Sequence, residues 1–158
     1  SFIPLLRRFH DNGWGMMALF SAILIVKASD TGAYFTGRTL GRHKMSPILS
    51  PKKTIEGAIG GLVVACLSCG AFFHFAGPVL VGKDFVMPPL LNWLGYTLIV
   101  AVAGMLGDLA ESLLKRDMGS KDAGNQLPGL GGVLDVIDSV LFAAPVAYAC
   151  WMWGVVGP

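Results

Sequence analysis

Acidic residues at the ends of long uncharged runs are the groups in this sequence best placed to do chemistry. Asp108 closes the uncharged run 85–107, and on a continuing helix Glu111, Ser112 and Lys115 fall three, four and seven residues further along the same face. Asp135 and Asp138, again three apart, open the final uncharged run, 139–158. An ionised carboxylate in apolar surroundings costs several kcal/mol unless it is paired, hydrated or bound to a cation. Hard oxygen ligands without Cys or His beside them suit Mg²⁺, which takes one or two carboxylates and fills its shell with water and phosphate oxygens. The plainer alternative is ion pairing with Lys115, Arg116 and Lys121. Asp30 stands three residues after Lys27, a spacing that serves an ion pair as well as metal or phosphate chemistry.

The bases require an anionic partner. Arg38, Arg42, Lys44, Lys52, Lys53, Lys115, Arg116 and Lys121 outnumber the acids near them, even with Asp117 and Asp122 included. Lipid head groups alone would attract such segments. The interleaved glycines argue for more: Gly32, Gly37 and Gly41 in DTGAYFTGRTLGRHK, and Gly129, Gly131 and Gly132 in PGLGG, are expected to let backbone approach a phosphate. SPKKT sets Ser50, Lys52, Lys53 and Thr54 just before a helix whose N-terminus favours an anion. Phosphates with Mg²⁺ point to nucleotide chemistry. No GxxxxGK[ST] segment occurs, so a P-loop is excluded.

The elements that must hold these residues are read from composition. Of 158 residues, 54% are hydrophobic and 14% charged, against roughly 25% charged in a soluble domain. The mean hydropathy is +0.63. Segments 57–82, 85–107 and 139–158 contain no Asp, Glu, Lys or Arg, and each matches the roughly 20 helical residues that span a bilayer. A fourth crossing is expected over 14–35. The fold class is therefore all-α: a polytopic integral membrane protein of about four transmembrane helices with charged cytoplasmic loops. One membrane domain over 1–158 is expected, as the C-terminal part of a longer polytopic protein. No basic region leads into a short apolar core with a small-residue cleavage site, which argues against a secretory signal peptide.

Two charged connections, 37–56 and 111–132, are separated by two crossings and so share one face. The excess of Lys and Arg places that face in the cytoplasm, and the two loops together can build one site. Arg7 and Arg8 disagree with a simple crossing over 14–35, because they would then lie on the far side. Gly57, Gly60 and Gly61 suggest close helix contacts. Cys66 and Cys69 form a CxxC inside an apolar run without a second pair, which favours small helix residues over zinc or redox chemistry. His10, His43 and His74 lack metal-ligand spacing. Trp93, Trp151 and Trp153 are expected in interfacial belts.

The segment SLLKRDMGSKDAGNQLPGLGGVLDVID, 112–138, resembles the signature of the CDP-diglyceride synthetases, also called phosphatidate cytidylyltransferases. DTGAYFTGRTLGRHKMSPILSPKKTIEG is similar to an upstream block of the same family, so the resemblance spans roughly 29–139. It implies a polytopic membrane enzyme that condenses CTP with phosphatidic acid to CDP-diacylglycerol and pyrophosphate in phospholipid biosynthesis. It implies that Asp108 and Asp135, with Asp138 as a third candidate, hold Mg²⁺, with K⁺ as a second cation. Lys115, Arg116, Lys121 and Asp122 are then the catalytic residues around the substrates. Asp30, Arg38, Arg42, Lys44, Ser50, Lys52, Lys53, Thr54, Ser112, Gly131 and Gly132 are the expected substrate-binding set. Leu130 stands where the family has His, and Val136 where it usually has Arg; both departures remove polar groups near the substrates.

Expected partners are CTP, phosphatidic acid and membrane lipid, without nucleic acid and with a homodimer as one arrangement; the expected location is a bacterial inner membrane. Two other functions remain open on the residues alone. An ion or anion transporter explains the buried acids but not the basic, glycine-rich loops. A CTP-dependent lipid kinase shares the metal and phosphate logic but transfers a different group.

Overall fold

A computed structural model describes residues 2–9, 12–46, 50–117 and 131–157. A short helix α1 (Phe2–Arg7) leads into α2 (Asn12–Leu40). A small hairpin of β1 (Lys44–Ser46) and β2 (Ser50–Thr54) follows, then α3 (Ile55–Leu80), a single 3₁₀ turn at Gly82–Asp84, α4 (Leu90–Asp117) and α5 (Gly131–Met152). Segments Gly13–Leu40, Ile55–Leu80 and Leu90–Leu113 are long and apolar enough to cross a membrane, and Ser139–Met152 forms a shorter apolar helix. α3 exposes Ile59, Val63, Leu67, Phe75 and Val79. A helix that is apolar on its outer face as well as its inner one suits lipid, not water.

The bundle is organised around an unusually close α2–α3 contact. On α3, Gly57, Gly61, Ala65, Cys69, Phe73 and Gly77 are buried at strict four-residue intervals, a row of mostly small side chains that lets two backbones approach. A Cβ at Gly61 would lie 2.6 Å from the carbonyl oxygen of Ser29, and one at Gly32 would lie 2.7 Å from Val64 Cβ. Cys66 and Cys69 belong to this helix as free thiols, in keeping with small helix residues. α4 and α5 run antiparallel, with Gly107 against Phe142 at one end and Asn92 and Gly95 sharing a groove with Ala149, Cys150 and Trp153 at the other.

The far end of the bundle from the hairpin is an aromatic core. Trp151 is fully buried, with ring centroids 5.7 Å from Phe9, 6.1 Å from Trp14 and 6.2 Å from Tyr96. Tyr96 Oη and Ser21 Oγ share a 2.8 Å hydrogen bond, satisfying two polar groups in an apolar interior. The interfacial-belt expectation therefore fails for Trp151, which is core; Trp153, two residues later, is largely exposed. α1 buries Leu6 and packs on α2 and α5, so Arg7 and Arg8 belong to a segment docked on this end.

The charged connections also differ from simple loops. α2 continues through Leu40, and the chain between α2 and α3 is a hairpin with Lys44 opposite Thr54 and Ser46 opposite Ser50. Gly32 and Gly37 thus lie inside α2, where their role is close packing, not the flexible phosphate-cradling backbone expected of DTGAYFTGR. α4 likewise continues through Asp117, so Glu111 and Ser112 follow Asp108 on one continuous helix.

Candidate active site

The hairpin end of the bundle holds a cavity of about 310 Å³ between α2, β2, α3 and α4, within the size range of small-ligand sites. Its polar lining consists of Ser29, Asp30 and Tyr34 on α2, Lys53 and Thr54 at the end of β2, and Asp108 on α4. Each is delivered by a different constraint. Asp30 follows Ser29 on the buried stripe of α2 that faces α3, one position round toward the surface. Lys53 is the penultimate residue of a strand that ends where α3 begins. Asp108 sits where the apolar part of α4 gives way to its polar last turns.

The charges are paired across elements. Lys53 Nζ makes an ion pair with Asp108 Oδ2, joining β2 to α4 over a wide sequence separation. Lys27 Nζ lies 3.6 Å from Asp30 Oδ2 within α2. Asp30 thus makes the ion pair that its spacing allowed, and it also lines the cavity. All four groups keep part of their surface accessible, so the pairs are exchangeable instead of locked.

The cavity wall is fixed by the start of α3. Thr54 has extended backbone at the N-cap, and its Oγ1 accepts a 3.1 Å hydrogen bond from the Gly57 N–H. Glu56, in the first turn, reaches back to the hairpin: it accepts from the backbone N–H of Arg42 at 3.1 Å and of His43 at 3.2 Å, and lies 2.6 Å from His43 Nδ1. One carboxylate thus clamps the chain leaving α2 to the helix that follows. The N-terminal end of α3, carrying Thr54, Gly57 and Ala58, opens into the cavity and contributes the positive end of a 26-residue helix.

Other expected site residues are distributed differently. Arg38 bonds Tyr34 Oη at 3.1 Å on the exposed face of α2. Arg42 and Lys44 are exposed on the hairpin side, outside the cavity lining. Ser112 Oγ donates to the Asp108 carbonyl at 2.9 Å, so its hydroxyl secures the helix turn below Asp108. Lys121, Asp122 and Leu130 lie outside the described residues. So do the side chains of Ser50, Lys52, Lys115, Arg116, Asp135, Val136 and Asp138, although their backbones belong to β2, α4 and α5; Gly131 and Gly132 open α5. The residue that sequence reading missed is Ser29. It precedes Asp30 directly, yet a serine within an apolar run gives no signal of its own.

Long apolar helices, with a paired acid–base cavity at one end of the bundle, define a polytopic membrane protein. The chain belongs to the cytidylyltransferase family, whose model it matches over residues 2–153. It is 42% identical over 135 residues to a phosphatidate cytidylyltransferase of Bacillus subtilis (85% of this chain, 47% of that protein). It is 43% identical over 140 residues to one of Haemophilus influenzae (86% and 46%). Against one of Staphylococcus aureus the identity is 46% over 132 residues (84% and 48%). The chain spans about half the length of the curated relatives it matches.

Proposed function

We propose that the protein of which this chain is part transfers the cytidylyl group of CTP to phosphatidic acid, giving CDP-diacylglycerol and pyrophosphate. The observation that supports it most is the cavity in which Lys53 of the hairpin meets Asp108 of α4 beside Asp30, in a chain similar over most of its length to phosphatidate cytidylyltransferases. The transporter and lipid-kinase readings find no support in these similarities.

The reaction joins a phosphate oxygen of phosphatidate to the α-phosphorus of CTP and breaks the bond to the β-phosphate bridging oxygen, so pyrophosphate departs with the electron pair. No protein nucleophile is needed; the burden is to position two anions and offset their repulsion. The cavity residues fit Mg²⁺. Asp30 and Asp108 offer hard carboxylate oxygens to the cavity, the ligand type Mg²⁺ takes. Asp108 would hold it, with Asp135 and Asp138 of α5 as further ligands and K⁺ as a second cation; when bound, such a cation offsets charge on the reacting phosphates.

This chain's own groups do the rest. Lys53, exchanging its Asp108 partner for a phosphate oxygen, brings a positive charge to the anion while freeing the carboxylate. The α3 N-terminus orients the anion from the same wall. Lys115, Arg116, Lys121 and Asp122 would complete the substrate contacts, with Ser50, Lys52, Gly131 and Gly132 as further members of the substrate-binding set. The excess of Lys and Arg in the 37–56 connection supports an orientation with this end of the bundle toward the cytoplasm, in a bacterial inner membrane.

The test supplies detergent-solubilised full-length protein with phosphatidate, Mg²⁺ and CTP labelled at the α- or the γ-phosphate. Label from the α-position in CDP-lipid is expected. Label from the γ-position in lipid would establish a kinase, and ion flux without CDP-lipid a transporter.

A further inference from the structure

α2 carries five serine and threonine residues, and four of them behave alike. Ser21 Oγ donates to the Ala18 carbonyl at 3.1 Å, Thr31 to Lys27 at 2.8 Å, Thr36 to Gly32 at 2.6 Å and Thr39 to Phe35 at 2.9 Å. This is the usual resort of a hydroxyl on an apolar helix, because a buried hydroxyl without a partner is costly. Ser29 is the exception. It is only 2% exposed, its Oγ has no hydrogen-bond partner among the described residues, and it lines the cavity with Asp30, Lys53 and Asp108. Among the polar residues lining the cavity, Asp30, Lys53 and Asp108 keep part of their surface open, whereas Ser29 is the most buried. A buried hydroxyl without a partner is costly, and a ligand entering the cavity is the group that can supply one.

We infer that the Ser29 hydroxyl donates a hydrogen bond to a phosphoryl oxygen of bound substrate, an inference that rests on the nucleotidyltransferase reading above. The surroundings select an anion. Lys53 and the N-terminal end of α3 line the same cavity and offer donors to an anion, while Asp30 and Asp108 supply the oxygens a cation needs. The donor is also rigidly placed. The Ser29 carbonyl lies against Gly61 so closely that a Cβ there would come within 2.6 Å of it, which fixes this turn of α2 on α3. The unmet hydrogen bond of the ligand-free protein is then made when substrate arrives, so that its strength serves binding and not folding.

The phosphoryl oxygen belongs either to the nucleotide triphosphate or to the lipid phosphate, and steady-state kinetics of the full-length enzyme separate them. Ser29→Ala is expected to raise KM roughly 10- to 100-fold for CTP in the first case and for phosphatidate in the second. Its ligand-free melting temperature should equal or exceed that of the unaltered protein, because an unsatisfied hydroxyl has been removed. Both KM values within twofold of the unaltered enzyme would overturn the inference. So would a shift confined to the Mg²⁺ dependence, or a drop in melting temperature with kcat falling and both KM values unchanged. Equilibrium binding of CTP and of short-chain phosphatidate, measured without turnover, keeps this separate from the proposed reaction. An unaltered protein that binds either ligand but makes no CDP-lipid refutes the reaction, while weaker binding by Ser29→Ala still supports the hydroxyl's role. No difference in binding, or no binding by either protein, refutes it.

Discussion

At the scale of single residues, the ion pair between Lys53 and Asp108 carries the most weight. It connects a strand to a helix far away in sequence, and its partners are individually partly exposed, so it contributes at most about 1 kcal/mol to stability. Its value is therefore chemical. Lys53→Met should lower kcat/KM at least 100-fold, roughly the effect of removing one transition-state charge contact, while shifting stability by no more than about 1 kcal/mol; initial rates and thermal unfolding in detergent measure the two. A Lys53→Met protein with normal rates would remove the hairpin from the mechanism. The individual acids and bases were legible in the sequence because charge is conspicuous in an apolar chain. Their pairing was not, since nothing in SPKKT or in MLGDLAES names the other. Ser29 was less legible still, because its distinction is a hydrogen bond it fails to make.

At the scale of elements, the site depends on how closely α3 seats against α2 and the hairpin. Gly61→Ala forces a methyl toward the Ser29 carbonyl, where a Cβ would lie at 2.6 Å, and both partners are helix backbone that cannot easily yield. A loss of about 1–3 kcal/mol is expected, read as a lower melting temperature, with activity falling because Ser29 and Asp30 move with that turn. Thr54→Val removes the oxygen that accepts from Gly57 N–H and should cost about 1 kcal/mol, a loss that Thr54→Ser largely avoids. The crossings themselves were readable from uncharged runs, and the four-residue row on α3 from its small residues. The hairpin was not, because KMS and SPKKT are too short and too polar to show strand alternation. The glycines of DTGAYFTGR misled for a physical reason: glycine permits both a loop near a phosphate and a helix near another helix, and only the partner helix decides.

At the scale of the whole molecule, the bundle has two unlike ends. One is an aromatic plug around Trp151; the other gathers the cavity, the hairpin and the polar end of α4. The antiparallel run of α2, α3 and α4 brings the hairpin and the polar last turns of α4 to one end; residues 118–130 of the expected second connection lie outside the described residues. The proposed orientation predicts labelling by a membrane-impermeant maleimide in cells. Lys83→Cys, in the turn at the opposite end, should react from outside, and Lys44→Cys only after permeabilisation. The reverse pattern would invert the orientation.

The central claim is that the reaction takes place in the cavity bounded by Asp30, Lys53 and Asp108. The most direct measurement is the initial rate of CDP-diacylglycerol formation by full-length Asp108→Asn, a nearly isosteric change that removes the negative charge. A fall of at least about 100-fold with an undiminished melting temperature is the predicted result, and a folded variant turning over within threefold of the unaltered enzyme would contradict it.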